Sequence, residues 1–251
     1  MTAGNGKLFH PDACFQNYPK DQQFSHANGD DPRAWSLPYG VEADGMQEQF
    51  GCVGTNCSLS FFASPIADEL QTDGMLATHT VERLANFSRD GIGKPGANRP
   101  FFLSTGFHKP HLPHIVPTKY FELYNLSNIS LAPNRLVPVG FKEENFHDDG
   151  TWELTSYSIA SAAFAKDNQS FHTPVDDAFA RAQRRAYFAA VSFTDANVGR
   201  VVNALKKEGF KDNTIVCLWG DHGWHLGQSF SLTLLSHSHS DISHCHFVIC
   251  R

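Results

Sequence analysis

The chain has no surplus of positive charge: 20 Lys and Arg stand against 26 Asp and Glu, a formal net charge of −6. A nucleic-acid binder needs a basic footprint to neutralise phosphates, so no nucleic-acid partner is expected. No run of about 18 apolar residues occurs, so neither a spanning helix nor a membrane partner is expected. The first residues, Met1 to Lys7, lack the apolar stretch of a secretory leader, so none is read there. No Cys-x-x-Cys pair occurs among Cys14, Cys52, Cys57, Cys217, Cys245 and Cys250, which argues against a structural zinc site. Charge is sparse, at 18% of residues, while 41% are hydrophobic. That balance supplies a core and argues against wholesale disorder. At 251 residues the length fits one large domain or two small ones.

What is present is 14 His and 21 Phe, unevenly placed. Residues 1–60 are rich in Gly, Pro, Asp, Asn and Gln and read as extended and loop-rich. A helix is expected from about Met75 to Ser88, with Leu76, Val81, Leu84 and Phe87 on one face. Pro100 to Phe107 is a short apolar run between turn formers and reads as a buried strand. His108-Lys109-Pro110-His111-Leu112-Pro113-His114 follows, and its prolines make it a loop at that strand's end. Strand ends are where open α/β sheets gather their chemistry. A long helix is expected from about Val175 to Gly209, with Tyr187, Val191, Val198, Val202 and Leu205 as its apolar stripe. Asp195 falls on that stripe and reads as a buried, hydrogen-bonded carboxylate. Thr214 to Trp219 reads as a second buried strand, with Cys217 as a small buried hydrophobe. This alternation is that of a three-layer α/β/α domain. Residues 229–251 are rich in Ser and His and read as a tail that does not belong to the fold.

Five N-x-Ser/Thr triplets, at Asn56, Asn86, Asn125, Asn128 and Asn168, are glycosylation candidates and lean towards a secretory or lysosomal route. Cys52 and Cys57 enclose a Val-Gly-Thr-Asn loop, which either closes as a local disulfide or leaves two free thiols.

Three polar constellations stand out: Gly6 to Pro11 with Lys7 and His10, Gly106 to His111 with His108 and Lys109, and Gly220 to Gly223 with Asp221 and His222. Each alone reads as an ordinary solvated turn. The second and third follow expected strands, and that gives the set its weight. Hydrolysis of an anionic ester needs a hard cation on oxygen ligands, donors to the anion's other oxygens, and an acid for the leaving oxygen. Asp221 offers a metal carboxylate, Lys7 a fixed positive charge, and His10 and His108 protons exchangeable near neutral pH.

Gly6–Pro11, Pro100–Pro113, Tyr187–Arg200 and Gly220–Gly227 resemble, in order, blocks of the sulfatase family of the iduronate-2-sulfatase type. The resemblance runs from about residue 4 to 228. It implies the α/β sandwich of the alkaline-phosphatase-like superfamily, here incomplete, and a lysosomal or secreted enzyme acting on sulfated glycosaminoglycan. Lys7 and His10 match the pair that contacts sulfate and a formylglycine nucleophile. His108 matches the His on the leaving-group side. Lys109 and His111 are pocket candidates. Asp221 and His222 match residues of a calcium site, with Asp221 the better ligand on grounds of hardness. Cys52 and Cys57 fall where the family has a local disulfide.

Departures from the family are as informative. Its nucleophile is a Cys in Cys-x-Pro/Ala-Ser-Arg, and none of the six cysteines has that context, so no formylglycine is expected in this chain. The nucleophile and a first pair of metal aspartates are expected upstream of Lys7. After Gly227 the expected Glu-His-Gly gives way to Gln228-Ser229-Phe230-Ser231. Residues 1–228 therefore read as a partial sulfatase domain without turnover of its own. The alternatives are a non-catalytic remnant that binds sulfated glycan or metal, a misassembled gene model, and a phosphatase of the same superfamily.

Overall fold

A computed structural model describes residues 1–8, 35–37, 59–96, 99–135, 176–220, 226 and 245–250, the last six as main chain. The elements are β1 (Thr2–Gly6), β2 (Phe61–Ser64), α1 (Thr72–Arg89), β3 (Phe102–Phe107), β4 (His114–Pro117), α2 (Thr118–Glu122), α3 (Asp177–Lys207), β5 (Ile215–Gly220) and β6 (Cys245–Cys250), with short 3-10 turns between.

Four strands form one sheet in the order β1-β3-β6-β5. β1 and β3 are parallel, with Gly6 opposite Gly106. β6 runs antiparallel to both β3 and β5. β5 is therefore parallel to β1 and β3, and all three point their carboxyl ends to one edge. Phe107 and Gly220 share that level, because each is opposite Cys245. A second, two-stranded sheet pairs β2 with β4 in parallel.

α1 matches the reading from sequence. Leu76, Leu84 and Phe87 are buried, and Val81 packs beside them. They meet Ala3 of β1, Leu103 and Phe107 of β3, and Val201, Ala204 and Leu205 of α3. Phe101 closes this core between Phe87 and Phe210, with ring centroids 5.2 Å from each. The other half of α3, through Ala186, Ala189, Ala190 and Phe193, packs on Val116, Tyr120 and Phe121. α3 starts on Asp176, whose carboxylate accepts from the Phe179 N–H at 3.0 Å.

Several expectations need correction. β1 lies in a segment read as loop, since Thr-Ala-Gly-Asn-Gly carries little strand propensity. Tertiary pairing overrides that propensity. Its small residues let α1 and β3 approach, and Asn5 is satisfied by Thr80, Thr105 and the Leu76 carbonyl. The expected stripe on α3 holds in its C-terminal half, where Leu205 is buried and Val198 and Val202 pack on the core, and differs further back. Val191 is 43% exposed, and the buried face carries alanines with Gln183, Thr194 and Asn197. Those polar side chains bond internally, so counting only large apolar residues missed this part of the face. Asp195 is consequently exposed rather than buried. β5 is a strand, as expected, but an exposed one: Ile215 is 68% and Leu218 54% accessible, and Cys217 is an exposed free thiol. β5 pairs with β6 at the sheet's rim. Cys245–Cys250, read as part of a tail outside the fold, forms β6 between β3 and β5.

Candidate functional site

The site is built on the close approach of two strand ends. Gly6 has φ +76°, in the left-handed region open to glycine. A Cβ on Gly6 would stand 2.2 Å from the Gly106 oxygen, and one on Gly106 would stand 2.0 Å from the Lys7 oxygen. Side chains at either position are excluded. The Lys7 N–H donates to the Gly106 carbonyl at 2.9 Å, carrying the parallel pairing one residue beyond β1. Lys7 and His108 thus leave neighbouring strands at the same sheet edge, and both are buried.

The loop after β3 is held from several sides. Asp73, in the first turn of α1, is buried, and its two carboxylate oxygens accept the N–H groups of His108 and Lys109, each at 2.8 Å. Burial raises its pKa, and the two backbone donors and the Lys109 charge oppose that rise. Thr194 of α3 donates its hydroxyl to the Lys109 carbonyl at 3.0 Å. The Lys109 ammonium turns back on its own loop, donating to the Pro113 carbonyl at 2.6 Å. The His111 ring lies 4.6 Å from that of His108, centroid to centroid. Its Nδ1 donates to the Leu112 carbonyl at 2.7 Å. Burial, then the Lys7 charge, holds His111 well below the usual histidine range. Gln71, Thr72, Asp73, His108, Lys109 and Phe193 line a small pocket between the loop and the two helices.

His114 plays a different part. Its Nε2 donates to the Pro110 carbonyl at 3.0 Å, and its Nδ1 accepts from Gln183 at 2.8 Å. Gln183 in turn accepts from Ser60, and the ring stands edge-on to Tyr187. Burial, aided by the Lys109 charge, brings its pKa down to about 3. A folded pKa below the unfolded value of 6.5 means the unfolded chain binds more protons between the two. Stability is then highest above pH 6.5 and falls on acidification towards pH 3, by up to about 1.4 kcal/mol per pH unit. Asp73, raised by burial, acts in the opposite sense at the acid end. The comparison of wild type with His114→Gln isolates the histidine. The variant's melting temperature should vary less between pH 7 and 4 than the wild type's, and equal slopes would rule out this role.

Of the residues expected from sequence, the structure brings together Lys7, His108, Lys109 and His111. His10, Asp221, His222, Cys52, Cys57, Asn56 and Asn168 lie outside the described residues. Asp221 follows β5 directly, and β5 ends on the edge that carries Lys7 and His108. Asn86, Asn125 and Asn128 are exposed. Sequence reasoning missed Asp73 and Thr194. An acidic residue in the first turn of a helix ordinarily signals only a helix start, and nothing in the sequence points it at a loop 35 residues away. Among the described residues no group of three or more His, Cys, Asp or Glu could hold a metal ion. Asp73 is not offered to a cation, because both its oxygens are engaged by backbone donors.

Lys7, His108 and His111 thus gather at the adjacent carboxyl ends of β1 and β3, the parallel pair within a mixed α/β sheet. The family profile described as Sulfatase matches residues 14–244, and the chain belongs to the sulfatase family. A curated sulfatase of Formosa agariphila is 32% identical over 241 residues, covering 90% of this chain and 40% of that protein. Iduronate 2-sulfatase of Homo sapiens is 31% identical over 230 residues, covering 91% and 39%. The chain spans about two fifths of the length of these relatives. Phosphonate monoester hydrolase of Agrobacterium radiobacter superposes with a TM-score of 0.54 at 16% identity, over 100% of this chain and 50% of that one. The fold is thereby the α/β type of alkaline-phosphatase-like hydrolases.

Proposed function

We propose that the chain is part of a sulfuric ester hydrolase of the iduronate-2-sulfatase type, acting on sulfated glycosaminoglycan. We propose further that it does not turn over by itself. The observation that carries the reading is the placing of Lys7 and His108 on adjacent strand ends, fixed by Gly6 opposite Gly106. A low-dielectric edge with a buried ammonium and an imidazole suits a sulfate group, whose oxygens take charge-assisted hydrogen bonds. Lys7 holds the sulfate oxygens, and His108 gives a proton to the leaving oxygen as the sulfur–oxygen bond breaks. His10 would act as the base when the sulfate is released from the nucleophile. Lys109 and His111 shape the pocket wall. The 31% identity to a protein named iduronate 2-sulfatase supports the choice of sugar.

A formylglycine would supply the attacking oxygen in such a reaction, and none of the six cysteines stands in the sequence context that forms one. A calcium ion would supply further positive charge to the sulfate oxygens. Asp221, a hard oxygen donor leaving β5 at the shared edge, would be its first ligand, with His222 beside it. The exposed sequons Asn86, Asn125 and Asn128 support a lysosomal or secreted location. We also propose that 1–228 is the partial sulfatase domain and 229–251 a Ser/His-rich added segment, although the family profile reaches residue 244 and the final strand joins the sheet.

The purified 251-residue chain is expected to hydrolyse no aryl sulfate, while inorganic sulfate raises its melting temperature. Hydrolysis abolished by EDTA would show that the chain carries a complete site after all. Absence of both turnover and sulfate stabilisation would overturn the sulfatase reading.

A further inference from the structure

We infer that Asp73 is a positioning residue for His108, holding the substrate-side histidine by its main chain. The inference rests on the sulfatase reading above. A buried carboxylate is costly unless its lone pairs are satisfied. Asp73 sits at the start of α1, where a carboxylate gains from the helix dipole and ordinarily stays in water. Here it is 2% exposed and reaches across to β3's end instead. One oxygen takes the His108 N–H and the other the Lys109 N–H, both at 2.8 Å. Thr194 holds the next carbonyl, that of Lys109, from α3. The two residues after β3 are therefore fixed by two helices at three main-chain atoms. Main-chain fixing sets the direction in which Cα–Cβ of His108 leaves the loop, and so where its ring meets an anion. Loop residues so tightly held are the exception, because loops generally exchange their hydrogen bonds with water.

Amide hydrogen exchange by NMR on the whole chain tests this directly. In the wild type the His108 and Lys109 amides should exchange as slowly as those of β3, although they lie outside the strand. Asp73→Asn keeps one acceptor but turns a donor towards the second N–H, so both amides should speed up about tenfold or more relative to β3. The His108 ring resonance should move, and affinity for inorganic sulfate should fall about 10- to 100-fold. Should Asp73→Asn fail to fold, Thr194→Val releases the Lys109 carbonyl and should move the same ring resonance. Wild-type His108 and Lys109 amides that exchange as freely as exposed loop amides would overturn the inference. Sulfate affinity and a His108 signal unchanged in a folded Asp73→Asn, or an unmoved His108 signal in Thr194→Val, would do the same. A wild-type chain that binds no sulfate overturns the sulfatase reading and this inference together. Wild-type binding that Asp73→Asn leaves intact overturns this inference alone.

Discussion

Gly106→Ala is expected to destroy the site and to destabilise the protein by about 3 kcal/mol or more. The added methyl would lie 2.0 Å from the Lys7 oxygen, 2.3 Å from its carbonyl carbon and 2.9 Å from the Leu8 nitrogen. All three are main-chain atoms of the neighbouring strand's continuation, so no flexible side chain can yield. Relief requires β1 and β3 to part, which breaks the Lys7 N–H bond to the Gly106 carbonyl and opens the core around Ala3, Leu76 and Leu103. Thermal melts and sulfate titration of the variant check this. A folded Gly106→Ala protein with wild-type melting temperature and sulfate affinity would mean that the strands do not meet as described.

Lys7→Met should fold and should lose sulfate affinity by about 10- to 100-fold. Methionine keeps much of the apolar stem and adapts to irregular packing, so the core beneath is spared. What goes is the ammonium. A hydrogen bond to a charged group is worth about 1.5 to 3 kcal/mol, which converts to that range of affinity. The same change should ease protonation of His111, since the Lys7 charge is one of the causes that hold its pKa low. Titration calorimetry with inorganic sulfate, beside an NMR pH titration of the His111 ring, reads both effects. Equal sulfate affinity in the two proteins would remove Lys7 from the site.

The parts legible in the sequence were those whose signal is local. The apolar period of α1, the extent of α3 up to Gly209 and the turn-bounded run of β3 each state their structure within a few residues. The Phe107-His108-Lys109-Pro110-His111 block showed chemistry because its prolines force a loop directly after a strand. β1 was illegible because its reason to be a strand lies in β3, a hundred residues away. Its glycines look like loop until Gly106 is seen to need them. Part of the buried face of α3 was missed because alanine and hydrogen-bonded polar residues can line a helix contact as well as valine can. Asp73 and Thr194 were missed for a related reason. Their partners are main-chain atoms of another element, and main-chain atoms leave no mark on sequence. Fold class could therefore be read, while the main-chain bonds from Asp73 and Thr194 to the loop after β3 could not.

Sulfate is proposed to bind at the joined ends of β1 and β3. Two-dimensional ¹H–¹⁵N NMR of the 251-residue chain, titrated with inorganic sulfate, tests it most directly. Saturable shifts are expected at Lys7, Gly106, His108 and His111, with β5 and the exposed turn at Asn125–Asn128 unmoved. Shifts confined to other residues, or none that saturate, would contradict it.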